Sequence, residues 1–176
     1  MAWSRLLDPL RGPGTELLAR FRLRRCAHLG SAPVTRGRIW VRGGGRIVLG
    51  DRVHLDGRAC AIELHARPGA EIYIGDDVSI EPGVSIEATG VIRIGPRCHL
   101  GRFCKLMDNQ FHAIRGNRAV RPEAGKLQVG ADVELGPHVV LLPGAIVEDG
   151  CSIEPGRVVS RRVAARPIPK ESERHG

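Results

Sequence analysis

Aliphatic residues recur every six positions along most of the chain, and this spacing is the strongest pattern in the sequence. If each aliphatic residue is position one of a hexad, position two is often Gly or an acidic residue. An amphipathic helix would repeat about every 3.6 residues and a half-buried strand about every two, so a period of six predicts a repeat architecture. The position-one residues are Leu49, Leu55, Ile74, Ile80, Ile86, Ile94, Leu100, Leu106, Val129, Leu135, Leu141, Val147, Ile153 and Val159.

Position five of the same frame provides an independent check. Its residues are small or β-branched until the last hexad, where Arg157 breaks the rule at the end of the repeat. Such residues suit a narrow interior near a turn. They are Val53, Ala59, Val78, Val84, Gly90, Cys98, Cys104, Val133, Val139, Ala145 and Cys151.

The hexads predict an all-β fold, a parallel β-helix. Each hexad supplies one short strand and one turn, three hexads close one coil of about 18 residues, and stacked coils bury each other's faces. Turn residues fall between the strands, as in Pro82-Gly83, Pro143-Gly144 and Asp149-Gly150. Only 3% of residues are aromatic, so aliphatic side chains must fill this core.

Three stretches depart from the hexads and set the predicted domain boundaries. Residues 61–73 and 88–93 slip, and residues 107–128 are polar with no hexads, which predicts a long inserted loop. We expect a basic helical arm at 1–36, the β-helix at 37–163 and a polar tail at 164–176.

The N-terminal arm has a different periodicity. Trp3, Leu6, Leu7 and Leu10 form a helical stripe that ends at residues 12–14. Thr15 is positioned to cap a second helix, and the strands of residues 37–48 are expected to cap the first coil. That second helix would contain Leu17, Leu18 and Phe21.

The net charge of +8 lies entirely within residues 1–46, and the remaining chain is neutral. A basic arm on a neutral body argues against nucleic acid as a partner. Two interpretations stay open: the arm contacts an anionic membrane surface, or it packs against the β-helix with its arginines in water. No apolar run has the length of a membrane span, the first residues lack the pattern of a signal peptide, and the unpaired cysteine usage favours a cytoplasmic location.

Cysteine and histidine are the residues that could have either a structural or a chemical role. Three of the five cysteines occupy position five, which favours small core residues over a metal or disulfide site. Among the seven histidines, His54 and His99 fall at position six and are expected in turns or facing outward, and His138 falls at position four. His112 lies in the inserted loop, where a neutral imidazole can act as a general base toward a hydroxyl.

The stretch Leu106-Met107-Asp108-Asn109-Gln110-Phe111-His112 resembles the D-x-x-F-H stretch of hexapeptide-repeat O-acetyltransferases that act on sugars and polysaccharides. The block from Val129 to Ala145 is similar to that family's I-G-x-x-V-W-I-G … I-x-x-G-V signature. The resemblance covers about residues 37–163 and implies a left-handed β-helix. It also implies a homotrimer with its sites between adjacent prisms.

The resemblance implies a role for each matching residue. His112 would remove the proton of the acceptor hydroxyl, and Asp108 would orient the loop or the imidazole, or else only cap the loop. Asn109 and Phe111 would contact the acceptor, although a turn role competes for Asn109. Acetyl-CoA would be the acyl donor, with no metal required, and would lie along the later coils near Gly136, Pro143, Gly144, Ser160 and Arg161.

Two departures from the family pattern leave an alternative open. Glu134 stands where the family has Trp, and the terminal G-x-P-A turn is missing after Val163. The competing hypothesis is a β-helix without catalytic activity that assembles with or regulates another enzyme. Other activities of such folds fit less well, since the histidine spacings do not match a zinc carbonic-anhydrase-like site and no nucleotidyltransferase domain is present.

Overall fold

Short parallel strands follow the hexads through the part of the chain that the computed structural model describes, residues 13–109 and 124–165. The helix in this part, α1, spans Pro13–Arg22. The strands are β1 (His28–Leu29), β2 (Val34–Arg42), β3 (Arg46–Leu49), β4 (His54–Ala66), β5 (Glu71–Ile74), β6 (Ser79–Ile80), β7 (Ser85–Ala88), β8 (Val91–Ile94), β9 (His99–Leu100), β10 (Lys105–Met107), β11 (Leu127–Val129), β12 (Glu134–Leu135), β13 (Val140–Leu141), β14 (Ile146–Val147), β15 (Ser152–Ile153), β16 (Val158–Val159) and β17 (Arg162–Val163).

The strands form three parallel ladders, which are the faces of a solenoid of about six turns. Face 1 is the row β1, β3, β5, β8, β11, β14 and β17. Face 2 is the row β6, β9, β12 and β15, and face 3 is the row β7, β10, β13 and β16. The long strands β2 and β4 turn the corner between faces 2 and 3.

Each face contributes one inward row of position-one residues, and strand register aligns these rows from coil to coil. On face 2, Leu55 pairs with Ile80, Ile80 with Leu100, and Leu100 with Leu135. Every position-one residue predicted from the sequence is at most 3% exposed. The parallel β-helix prediction is therefore confirmed; its left hand stays a prediction.

The frame is wrong at one predicted position. Ala59 was placed at position five of a hexad, but it is exposed, as is Arg58. A register shift between Gly37 and Ile39 in β2 lengthens this coil, and Ile62 and Leu64 become its next inward residues. The slip therefore begins near residue 58 and not at residue 61.

Helical residues, and not the strands of residues 37–48, close the N-terminal end. Ala19 and the following Leu23 are at most 1% exposed, and Leu23 belongs to the core. Strand pairing already begins at His28, upstream of the predicted boundary at residue 37. Since α1 begins at Pro13, Thr15 is its third residue and is not the N-cap. The stripe predicted for residues 3–10 lies outside the described residues.

We expect Leu100→Ala to lower the free energy of unfolding by about 3 kcal/mol, because it leaves a cavity between two stacked coils. Leu100 is fully buried on face 2, whereas Leu17 on α1 is 71% exposed. The same substitution at Leu17 provides the control and should change stability by less than about 0.5 kcal/mol. Urea denaturation measures both. Equal effects at the two sites would contradict the assignment of Leu100 to the core.

Candidate active site

One edge of the solenoid collects most of the residues that the sequence assigns to chemistry. We call it edge 3/1, since it contains the turns that lead from face 3 to face 1 in each coil. In successive coils it holds Thr89-Gly90, the insertion between Met107 and Leu127, Pro143-Gly144 and Ser160-Arg161. The predicted inserted loop thus leaves the solenoid between β10 and β11.

Asp108 is the first residue of this insertion, and its buried side chain anchors it to the solenoid. Its side chain is fully buried, and its two carboxylate oxygens accept three hydrogen bonds from the neighbouring coil. The Thr89 amide and hydroxyl donate to Oδ1 at 2.8 and 3.0 Å, and the Gly90 amide donates to Oδ2 at 2.8 Å. A negative charge held by two amides fixes the direction in which the chain leaves the coil.

The insertion returns to the point at which it leaves. The Gly125 amide donates to the Asp108 carbonyl oxygen at 2.8 Å, so the two ends of the loop are joined by a backbone hydrogen bond. A Cβ placed on Gly90 would lie 2.5 Å from the Cβ of Ala124. The chain at Ala124 therefore passes too close to residue 90 for any side chain larger than hydrogen there.

The returning chain packs against the next coil of edge 3/1. The Gly144 amide donates to the Lys126 carbonyl oxygen at 2.9 Å, and a Cβ on Gly125 would lie 2.8 Å from the Cβ of Pro143. Ser160 and Arg161 are exposed on the last coil of the same edge. The structure thus brings four of the five predicted CoA-contact residues to one edge, below the insertion.

The other predicted site residues are placed differently. Gly136 lies between β12 and β13, on the edge between faces 2 and 3, and is separated from the other four. Asn109 is 3% exposed, so its side chain is buried beside Asp108. Phe111 and His112 lie outside the described residues. Glu134, the departure from the family Trp, is exposed on face 2 between His99 and Ser152.

The histidines of face 2 have no arrangement typical of a catalytic centre. His99 faces outward, with Nε2 lying 3.6 Å from Glu81 Oε1. His54 is only 8% exposed, its Nε2 has no hydrogen-bond partner, and burial, followed by the charge of Arg36, lowers its pKa. Within the described ranges no group of three or more His, Cys, Asp or Glu side chains is placed to hold a metal ion.

The three position-five cysteines are core residues, as predicted. Cys98, Cys104 and Cys151 are at most 4% exposed. The Cys98 thiol donates to the Gly130 carbonyl oxygen at 3.0 Å, and the Cys104 thiol donates to the Gly136 carbonyl oxygen at 3.1 Å. Burial raises the pKa of each of these two thiols to about 11.

We expect a thiol reagent at pH 8 to leave Cys26, Cys98 and Cys104 unmodified in the folded protein. Burial raises the pKa of Cys26 to about 12, so all three thiols are protonated at that pH, and Cys98 and Cys104 are also covered by the core. All five cysteines should react once guanidinium unfolds the chain. Mass spectrometry of the labelled peptides distinguishes the sites. Rapid labelling of Cys98 or Cys104 in native buffer would contradict their core position.

Comparisons with known proteins find similar structures but no match by sequence. No protein-family model matches the sequence, and no curated protein matches it. AntD, an N-acyltransferase from Bacillus cereus whose mutant was crystallised with dTDP and coenzyme A, aligns with a TM-score of 0.61 at 16% identity over 81% of each chain. A maltose O-acetyltransferase from Clostridium difficile 630 aligns with a TM-score of 0.57 at 18% identity, covering 92% of this chain and 74% of that one.

This chain has the fold of hexapeptide-repeat acyltransferases. At these sequence identities the likeness is one of fold. No helix in the described part of the chain is long and apolar enough to cross a membrane.

Proposed function

We propose that this chain is an acetyl-CoA-dependent O-acetyltransferase, acting on a sugar hydroxyl of a polysaccharide or glycolipid precursor. The observation that carries the proposal is the anchored insertion of edge 3/1. The stretch that resembles the family's catalytic segment starts at Asp108, and Asp108 is the residue that holds the loop to the solenoid through three hydrogen bonds.

His112 lies four residues after this anchor and is the proposed general base. Its imidazole would remove the proton of the acceptor hydroxyl as the hydroxyl oxygen attacks the thioester carbonyl. Backbone N–H groups would stabilise the resulting oxyanion. The carbon–sulfur bond then breaks, the thiolate of CoA leaves with the proton taken up from the imidazole, and the acetyl ester remains on the sugar.

The proposed acyl-donor site follows edge 3/1 below the insertion. Pro143 and Gly144 form its nearest turn, and an exposed Arg161 on the last coil can pair with the phosphates of CoA. Support comes from AntD, which has the same fold and was crystallised with coenzyme A. Gly136 lies on another edge, so within a single chain it would not contact the same part of CoA as Gly144.

The sugar acceptor and the assembly are the finer parts of the proposal. The maltose O-acetyltransferase of similar fold supports a carbohydrate acceptor, and Asn109 and Phe111 stay the proposed contacts with it. We propose a homotrimer with sites between neighbouring solenoids, working in the cytoplasm. Peripheral contact with the inner face of the membrane through the N-terminal arm would place it beside lipid-linked glycans. Sedimentation equilibrium tests the assembly.

The direct test measures acetyl transfer from acetyl-CoA to a panel of mono- and oligosaccharides. Release of free CoA must match the amount of acetylated sugar found by mass spectrometry. The second candidate function, a β-helix without catalytic activity that serves a partner enzyme, is favoured by Glu134, which places an exposed carboxylate where the family has a flat apolar side chain. Calorimetry showing no binding of acetyl-CoA would favour this second function.

A further inference from the structure

An open groove at the N-terminal end of the solenoid is lined by several arginines. It consists of two cavities of about 280 and 210 Å³ that share Arg25, Val41 and Arg42. The glycine run Gly43–Gly45 also lines the first cavity, and Arg22, Arg24 and Trp40 also line the second. We call this feature the arginine groove.

The positive charge of the arginine groove is largely uncompensated. Among the described residues that line it, none is acidic. Arg22 donates to the Thr35 carbonyl oxygen at 3.2 Å, and Arg25 donates to that of Val41 at 3.5 Å, so both use neutral acceptors. Of these arginines, Arg42 alone has a carboxylate partner among the described residues, with its guanidinium 3.5 Å from Glu63. These contacts orient the guanidinium groups but leave most of their charge available to a ligand.

The glycine run Gly43–Gly45 lines part of the same groove. Gly43 and Gly44 have φ angles of 100° and 78°, a turn that is accessible to glycine at little cost. The Gly45 amide donates to the Ala66 carbonyl oxygen, whereas in the described part of the chain no acceptor is found for the amides of Gly43 and Gly44. Nothing lies within 4 Å of a Cβ built on Gly44, so this side of the turn faces open space.

We propose that the arginine groove binds the phosphate group of an ester or diester. Guanidinium groups fixed by backbone contacts, together with free amides of a turn, are the donor set that recognises phosphate oxygens. The proposal goes beyond acetyl transfer. The groove lies about three coils from Asp108, where the insertion begins, which is roughly 14 Å at the usual strand spacing, so the bound phosphate would be a different group from the reacting hydroxyl.

The phosphate can belong to a lipid head group or to a dissolved ligand, and the two sources make different predictions. Phe21 and Trp40 beside the groove are 63% and 41% exposed, and Arg24 and Arg42 lie 4.5 Å from the centres of their rings. Exposed aromatic side chains next to arginines are suited to the interface of an anionic membrane. A dissolved phosphate ester needs the arginines and amides but not the exposed rings.

The sharpest test uses a matched pair of substitutions in the full-length protein, Gly44→Asp and Gly44→Asn. Both side chains tolerate positive φ and have nearly the same size, and they enter open space at this position. Only aspartate adds a negative charge to the groove. Binding is measured with inorganic pyrophosphate by calorimetry, and with phosphatidylglycerol–phosphatidylcholine vesicles by co-sedimentation, against phosphatidylcholine alone.

We expect the wild type and Gly44→Asn to bind at least one phosphate probe, with Gly44→Asp weaker by about tenfold. Pelleting with anionic vesicles alone assigns the phosphate to a lipid, and binding of pyrophosphate without pelleting assigns it to a dissolved ligand. The variant R25Q/R42Q should lose the same binding, whereas Arg157→Gln at the opposite end should retain it. Binding of neither probe, or equal binding by the two Gly44 variants, would overturn the proposal.

The readout is independent of the proposed acetyl transfer. Binding is measured without acetyl-CoA. The Gly44→Asp variant should acetylate a soluble sugar at the wild-type rate, because residue 44 lies about three coils from Asp108. An inactive protein that binds phosphate would overturn only the proposed function. An active protein that binds neither probe would overturn only the arginine groove.

Discussion

Substitution of His112 by alanine is expected to lower kcat for acetyl transfer by about 10² to 10⁴-fold, the usual contribution of a positioned general base. The KM for acetyl-CoA should change by less than about twofold, because the imidazole would act on the acceptor and not on the donor. Steady-state kinetics with a saturating sugar acceptor measures both constants.

His28→Ala is the matched control, since His28 is an exposed histidine in β1, four strands away from β11 in the ladder of face 1. It should retain wild-type kcat. The thermal unfolding midpoint of each variant must stay at the wild-type value, which separates lost chemistry from lost structure. Unchanged turnover in His112→Ala would show that another group removes the proton, or that none is required.

Asp108→Ala is expected to produce the largest loss of stability among single polar substitutions near the site, about 3 kcal/mol. It removes the acceptor of the Thr89 and Gly90 amides, and an unpaired buried donor costs about 1 to 3 kcal/mol. Because the same residue directs the chain into the insertion, acetyl transfer should fall as well. Asp108→Asn retains one acceptor oxygen and should cost less.

Asp149 provides a control that shares one type of these hydrogen bonds but differs in burial. Its carboxylate accepts a hydrogen bond from the Ala131 amide at 2.8 Å, as Asp108 does from Thr89, yet Asp149 is exposed. Water can replace the lost acceptor there, so Asp149→Ala should cost less than about 1 kcal/mol. Urea denaturation of both variants decides the comparison. If Asp108→Ala cost no more than Asp149→Ala, burial of the anchor would not govern its contribution.

The sequence predicted the solenoid well because its signal is local and repeated. Each hexad must bury its aliphatic residue, and one frame places Leu55, Leu100 and Leu135 on the same inward row. The prediction failed at Ala59, where an irregular pairing between β2 and β4 changes the frame. A bulge depends on the neighbouring strand, and the hexad count contains no information about that neighbour.

The sequence predicted where along the chain the site lies, but not which distant residues contact it. The stretch from Asp108 to His112 marks the insertion, but the partners of Asp108 are Thr89 and Gly90, nineteen and eighteen residues earlier in the chain. Gly136 and Gly144 were both assigned to the CoA path, although the two lie on different edges. Consecutive hexads occupy consecutive faces, so similar sequence motifs point in different directions.

The arginine groove was not predicted at all. The sequence shows a basic arm and the run Gly43–Gly45 as separate features, and nothing in their spacing brings Arg25 beside Arg42. Helix α1 and the residues after it fold over the open end of the solenoid, and this places the arm's arginines against the turn between β2 and β3.

The sequence by itself therefore determined the repeat, the inward rows of the core, the place of the insertion and the imbalance of charge, because each depends on residues close together in the chain. Tertiary structure alone decided which turns share an edge, what holds Asp108, and where the arginines of the arm converge. Those properties arise from coil stacking, which brings residues about one turn of the solenoid apart into contact and joins positions that no local pattern connects.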